Sequence, residues 1–143
     1  MHRAYRTTLP RVALLVAMAL PIALFAVSMP LPWHHFMPPT GGVTVVRGID
    51  GASWLIVMSV IALYLLVRAV LDRAGWYTRW LMNITSLMLL IGIFSDYIDW
   101  QSRAAQRLGL DFIPAYFGPG FFCALAGVLI FIVANVLLWR VEV

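Results

Sequence analysis

The sequence predicts an all-α integral membrane protein with four transmembrane helices in one domain, residues 1–143. Three observations lead to this prediction. Of the 143 residues, 63% are hydrophobic and only 11% are charged, whereas an ordinary soluble domain carries about 25% charged residues. The apolar residues form four long runs, and the tryptophans lie near the ends of those runs. So few charges could not cover a water-soluble protein of this length, and a soluble enzyme is therefore excluded.

The four predicted spans cover residues 12–29, 52–70, 80–97 and 120–139. Each approaches the roughly 20 apolar residues that cross about 30 Å of hydrocarbon. No span has a charged residue at its middle, and Arg, Asp, Gly and Pro collect between the spans, as expected when irregular chain is kept out of lipid. Tryptophan rings favour the membrane interface because the ring is apolar and its N–H needs a polar partner. The tryptophans are Trp33, Trp54, Trp76, Trp80, Trp100 and Trp139.

The arginines predict that both termini are cytoplasmic. Seven arginines lie in the N-terminal segment, the connection between the second and third spans, and the C-terminus, against three in the other two connections. By the positive-inside rule, the connections 30–51 and 99–116 are then extracytoplasmic. The chain contains no lysine, which is associated with GC-rich bacterial genomes, so we expect a bacterial inner (cytoplasmic) membrane. The first span also fits a cleaved signal peptide; we expect instead an uncleaved helix, kinked or loosened at Pro21.

Both outer connections are predicted to be ordered. Prolines enforce extended chain in residues 30–39. Residues 43–46 are β-prone, and Asp50 is placed to cap the second helix. Apolar residues of segment 99–108 lie near one helical face, so we expect the third helix to continue or turn into an amphipathic helix at the outer surface. Pro119 is expected in the first turn of the fourth helix.

The outer segments also contain the candidate partner-binding residues. The imidazoles of His34 and His35 could ligate haem, chlorophyll-type magnesium or a transition metal. However, neighbours in extended chain point to opposite sides and a zinc site needs three or four ligands, so we favour partner contacts and predict no metal site. Asp99 and Arg103 form an i,i+4 pair within a charge series that is either a docking patch or a solvated face. The full candidate set is Trp33, His34, His35, Phe36, Asp96, Asp99, Trp100, Arg103 and Arg107.

Two amides and several small residues are predicted to pack the helices together. Asn83 and Asn135 lie at similar depth because Trp80 and Trp139 mark the same interface. We therefore expect a hydrogen bond between these amides, worth about 0.6–2 kcal/mol. The fourth span also carries small residues four positions apart, which let helix backbones approach closely. We expect this small-residue face to pack within the bundle; it comprises Gly120, Cys123, Ala124 and Gly127.

The sequence shows no chemistry for catalysis. Proton relays and ion-coupled carriers need ionisable groups at membrane depth, and the middle of each span has none. We find no phosphate-binding loop, paired carboxylates or Ser/His/Asp set. We therefore expect neither an enzyme nor a nucleic-acid-binding protein.

Three short motifs carry a family resemblance. They are Leu31-Pro32-Trp33 after the first span, Gly48-Ile49-Asp50-Gly51 before the second, and Gly118-Pro119-Gly120-Phe121-Phe122 at the start of the fourth. Together they resemble small four-helix bacterial inner-membrane proteins with an LPW turn and a GPGFF helix start. The resemblance covers most of the chain. It implies a four-helix bundle, implies no activity and transfers no catalytic residue.

These observations favour a non-catalytic accessory or scaffold subunit of a larger bacterial membrane complex. A photosynthetic or respiratory electron-transfer assembly is the first expectation, by analogy. Its partners would be other membrane-protein subunits and the bilayer. No cofactor of its own is predicted, although a pigment, haem, quinone or lipid could lie beside it. The alternatives are a cofactor- or metal-binding membrane protein that uses His34 or His35 at the outer surface, and a channel or carrier formed by self-association.

Overall fold

The computed structural model describes residues 2–36, 42, 44–71, 75–108 and 115–140. Within these residues, four helices are long and apolar enough to cross a membrane, which confirms the predicted number of helices with spanning length and composition. The helices are α1 (His2–Ser28), α2 (Gly48–Gly51), α3 (Ser53–Val70), α4 (Trp76–Leu108) and α5 (Pro119–Arg140), and the strands are β1 (Pro32–Phe36), β2 (Thr44–Arg47) and β3 (Ala115–Phe117).

The spanning segments agree closely with the predicted ones, except in the third helix. Those of α1, α3 and α5 are Arg11–Ser28, Ser53–Val70 and Pro119–Arg140, and each end differs from the prediction by one residue at most. In α4 the spanning segment is Trp76–Asp99, so it begins one turn earlier than predicted. The extra turn, residues 76–79, contains the polar Thr78 and the charged Arg79. These residues lower its hydropathy, so the turn is helical without being part of an apolar run. Beyond its spanning segment α4 runs unbroken to Leu108, so the expected outer helix is a continuation of the third helix.

The four long helices form a closed bundle. Both α3 and α5 pack against α1 and α4, so each long helix has two long-helix neighbours. We call the end that carries the N-terminal part of α1 and the C-terminal part of α5 the arginine end, because Arg11, Arg68, Arg79 and Arg140 lie there. The opposite end is the sheet end. The bundle core is filled by large apolar side chains, among them Met18, Phe25, Leu55, Leu65, Met82 and Phe131.

A three-stranded antiparallel sheet lies at the sheet end, with strand order β2-β1-β3. In this register His34 of β1 is opposite Val46 of β2 and Phe117 of β3. The prediction of an all-α fold is therefore wrong in this respect. The β-prone run in the first connection was recognised, but β3 has only three residues. Its pairing depends on β1, which is distant in sequence.

Two local predictions at the sheet end have different outcomes. Asp50 does not cap the second spanning helix, because it lies within the short helix α2, and the N-cap residue of α3 is Ala52, which makes no side-chain capping bond. Pro119 is the first residue of α5, as predicted. Helix α1 is continuous through Pro21, so the expected loosening does not interrupt it.

Candidate functional site at the sheet end

Trp33 is the central side chain of the sheet end. Only 1% of its surface is exposed, and its Nε1–H donates a hydrogen bond to the Ser28 carbonyl oxygen at 2.9 Å. Gly48 and Gly120 lie directly against its indole ring, and a Cβ atom added at Gly120 would be 2.5 Å from Trp33 Cδ1. The indole therefore holds together the end of α1 and the starts of α2 and α5.

His34 is also enclosed within the chain, with 1% of its surface exposed. Its ring centroid lies 5.3 Å from that of Phe117, 6.1 Å from that of Phe121 and 6.5 Å from that of Trp33. Burial, with a smaller contribution from the neighbouring His35, lowers the pKa of His34 from 6.5 to about 4. The imidazole is therefore neutral at neutral pH.

Trp33 and His34, which were expected to contact a partner, are enclosed within this chain, and their contact with a partner stays a prediction. The indole N–H donates a hydrogen bond to a backbone carbonyl inside the protein, so it has a polar partner without lying at the membrane interface. The imidazole packs among aromatic rings on the inner face of β1. Both side chains support the sheet from within.

His35 occupies the other face of β1, because successive side chains of a strand alternate. It is half-buried, and a Cβ atom added at Gly118 would lie 3.2 Å from its Nε2 atom. The imidazoles of His34 and His35 therefore point to opposite faces of β1, as the sequence predicted. In the part of the chain that the structure describes, no group of three or more His, Cys, Asp or Glu side chains could hold a metal ion. The backbone of Phe36 pairs with β2 and β3, and its side chain lies outside the description.

Asp96 makes an internal contact. It is 9% exposed, and its Oδ2 atom accepts a hydrogen bond from Trp54 Nε1 at 3.0 Å. The Trp54 ring rests on Gly92, where an added Cβ atom would lie 2.5 Å from the indole carbon Cζ3. This carboxylate therefore joins α4 to α3, and the expected role of Asp96 in partner binding stays a prediction. Sequence analysis missed the Trp54–Asp96 pair. Gly92, one helical turn before Asp96, makes room for the indole and is the signal that could have indicated it.

The remaining charged candidates lie on the outer turns of α4. The side chain of Asp99 is exposed. Trp100, Arg103 and Arg107 belong to the same helix, and their side chains lie outside the description. Because Asp99, Arg103 and Arg107 are four positions apart, the helix keeps them near one side.

An apolar groove of about 280 Å³ separates α4 from α5 near the sheet end. On one side of it, Tyr97 of α4 stacks on Phe117 of β3, with ring centroids 5.2 Å apart and an interplanar angle of 13°. The ring centroid of Phe117 in turn lies 4.4 Å from that of Phe121 in α5. These rings fix α4 to the sheet and to α5. The groove is lined by Ile93, Phe94, Tyr97, Phe121 and Leu125.

The two amides and the small residues have the predicted packing roles. Asn135 Nδ2 donates a hydrogen bond to Asn83 Oδ1 at 2.8 Å, which is the predicted contact between the third and fourth spans. Ala124 is fully buried. A Cβ atom added at Gly127 would lie 2.6 Å from Phe25 Cε1 of α1. The small-residue face of α5 therefore packs inside the bundle.

Hydrogen bonding in the described spans joins the chain to itself. Ser28, Thr85 and Ser86 donate to carbonyls of their own helices, Trp54 donates to Asp96, and the amides join α4 to α5. These internal hydrogen bonds hold the helices in fixed positions relative to one another.

Comparison of the chain with protein-family models, curated proteins and solved structures found no match. The resemblance to small four-helix bacterial inner-membrane proteins stays a prediction.

Proposed function

We propose that the chain is a structural subunit of a larger membrane assembly and that the outer turns of α4 bind a partner subunit. The observation that carries this proposal is the length of α4. Its spanning segment Trp76–Asp99 measures about 36 Å at about 1.5 Å per residue, already more than the hydrocarbon core. The helix then continues to Leu108, which adds about 13 Å outside that core. A helix that continues beyond the hydrocarbon core offers an outer surface suited to protein contact.

The sequence of the projecting turns supports protein contact. Asp99, Arg103 and Arg107 recur every four residues, so residues of opposite charge fall near one side of the helix. A partner with the complementary arrangement of charges would be oriented by this series. The stacking of Tyr97 on Phe117 holds the base of the projection, which lowers the entropy cost of binding.

The proposal includes an orientation and a location. Seven of the ten arginines belong to the arginine end, which supports cytoplasmic termini and an extracytoplasmic sheet end. The proposed membrane is the bacterial inner membrane. Among its assemblies we favour an electron-transfer complex, photosynthetic or respiratory, because small helical subunits without catalysis occur there; this step is an analogy. The proposal assigns no catalytic step to the chain.

The test is mild detergent extraction of native membranes, followed by a native gel, absorption spectroscopy and mass spectrometry of the band. The wild-type chain should co-migrate with other membrane subunits. The double variant Arg103→Ala and Arg107→Ala should release it, whereas Arg47→Ala, an exposed arginine of β2, should not. A wild-type chain that migrates alone and colourless near its own mass contradicts the proposal.

A second candidate function is the binding of a haem, chlorophyll or metal by His34 or His35. His34 is enclosed, with 1% of its surface exposed, so His35, which is half-buried on the other face of β1, is the imidazole with access to such a ligand. Purified protein would then carry visible absorption or bound metal, and His34→Phe or His35→Phe would remove it. Colourless, metal-free protein that is stable as purified contradicts this alternative.

A further inference from the structure

We propose that the arginine end contains a binding site for an anionic phospholipid, with Arg68 at the α3–α4 junction and Arg79 at the α4–α5 junction as its basic groups. Arg68 lies in the last turn of α3 and Arg79 in the first turns of α4. Both are therefore at the level where a spanning helix leaves the hydrocarbon and phospholipid phosphates lie. This site is at the opposite end of the bundle from the proposed partner contact and does not depend on it.

The guanidinium of Arg68 is held in position by its neighbours. Its Nε–H donates to Thr78 Oγ1 at 3.0 Å, and its Nη1 donates to the hydroxyl of Tyr64 at 3.1 Å. The guanidinium carbon also lies 5.4 Å from the ring centroid of Tyr77 and 5.8 Å from that of Tyr64. A guanidinium fixed in this way loses little further freedom when it binds a phosphate.

Arg79 is positioned on the other side of the start of α4. Its guanidinium carbon lies 5.5 Å from the ring centroid of Trp139 in α5. Trp139 is in turn fixed by a hydrogen bond from its Nε1 to Asn83 Oδ1 at 3.3 Å. Arg68 is thus held at the α3–α4 junction and Arg79 at the α4–α5 junction.

The net charge of the arginine end favours an anionic ligand. Counted along the sequence, the N-terminal segment, the connection between the second and third spans and the C-terminus contain seven arginines and two acidic residues, a formal charge of +5, whereas the rest of the chain contains three arginines and four acidic residues, a formal charge of −1. Because this count includes every carboxylate of the chain, the excess holds whichever ion pairs form. An anion is therefore attracted to this end and not to the other.

The neighbouring apolar surface favours a phospholipid over a soluble phosphate. Beside Arg68 on α3, Val67, Val70 and Leu71 are 48%, 52% and 59% exposed, and acyl chains can cover them. On α4, Trp76 is 75% exposed and Trp80 54% exposed, the position of aromatic rings at a headgroup boundary. A ligand with a phosphate and acyl chains satisfies both surfaces, and basic groups beside spanning helices bind such headgroups.

The test measures lipid retention by the purified full-length chain with native mass spectrometry. The protein in nonionic detergent is offered equal amounts of phosphatidylglycerol and phosphatidylcholine, which differ in net charge. We expect preferential retention of phosphatidylglycerol. Arg68→Gln and Arg79→Gln should each weaken it about fivefold, the fold-change that corresponds to about 1 kcal/mol for one basic residue near a membrane surface. Arg47→Gln, at the sheet end, is the matched control.

Two further measurements separate lipid binding from an effect on folding. Arg68→Lys keeps the charge and should retain most of the preference, and circular dichroism should show each variant to be as helical as the wild type. Free glycerol phosphate should compete poorly, because it lacks acyl chains. Equal retention of both lipids by the wild type overturns the proposal, as does an Arg47→Gln effect as large as that of Arg79→Gln. Effective competition by glycerol phosphate also overturns it and indicates a soluble anion instead.

Discussion

Replacement of Gly120 by alanine tests the central role of Trp33 at the sheet end. The added Cβ atom would lie 2.5 Å from Trp33 Cδ1, 2.9 Å from its Nε1 and 3.0 Å from Leu31 Cβ, whereas carbon atoms in favourable contact are about 3.5–4.0 Å apart. The indole would have to move by about 1 Å, and it is fully enclosed and bonded to Ser28. Overpacking costs about 1–3 kcal/mol and the lost hydrogen bond about 1 kcal/mol, so the free energy of unfolding should fall by about 2–4 kcal/mol.

The assay is reversible unfolding in mixed micelles by a denaturing detergent, followed by near-ultraviolet circular dichroism. Gly75→Ala is the matched control, because a Cβ atom added there meets nothing within 4 Å. In a Trp33→Leu background the Gly120→Ala change should cost less than about 1 kcal/mol, since the two residues are in contact and their effects are not additive. The reasoning is refuted if Gly120→Ala is as mild as the control, or if its cost is the same in both backgrounds.

Three further predictions use the same unfolding assay. Asn135→Ala should lower the free energy of unfolding by about 0.6–2 kcal/mol, and this loss should vanish in an Asn83→Ala background, since the bond joins these two side chains; an undiminished loss would count against the pairing. Trp54→Phe should cost about 1–3 kcal/mol because it leaves the Asp96 carboxylate without its indole donor, whereas Asp96→Asn, which keeps an acceptor oxygen, should cost less; equal costs would argue against the bond. Burial lowers the pKa of His34 from 6.5 to about 4 in the folded chain, so the unfolded chain binds a proton first as the pH falls. Stability is therefore complete above pH 6.5 and declines by about 3 kcal/mol towards pH 4. His34→Phe should remove this part of the pH dependence, and an unchanged profile would show that His34 is not its source.

The spanning helices could be predicted because their signal is local. A bilayer requires about 20 consecutive apolar residues, and each run is visible without knowledge of its neighbours. The predicted contact between Asn83 and Asn135 needed only one further fact, the depth of each amide relative to a tryptophan. The missed start of α4 at Trp76 shows the limit of the method, because a polar first turn is helical without being hydrophobic.

The sheet and the Trp54–Asp96 pair could not be predicted from local patterns. Strand β3 has three residues and becomes a strand only because β1, far away in sequence, offers it hydrogen bonds. Trp54 and Asp96 are 42 positions apart, and each alone resembles a residue at a helix end near water. The signal that could have found them is steric, since Gly92 removes the side chain that would otherwise occupy the space of the indole.

Tryptophan has two different roles in this chain, and the difference bears on the proposed partner contact. At the arginine end Trp76 is 75% exposed, whereas at the sheet end Trp33 is 1% exposed. The sequence alone predicts both to lie at the membrane interface, because both are close to the ends of apolar runs. The buried indole and the stack of Tyr97 on Phe117 join α1, α4, α5 and the sheet into one rigid unit. In the proposed function, the aromatic residues at this end act through the position they give to the outer turns of α4. Variants of Trp33 should consequently weaken assembly together with stability, whereas variants of Arg103 and Arg107 should weaken assembly alone.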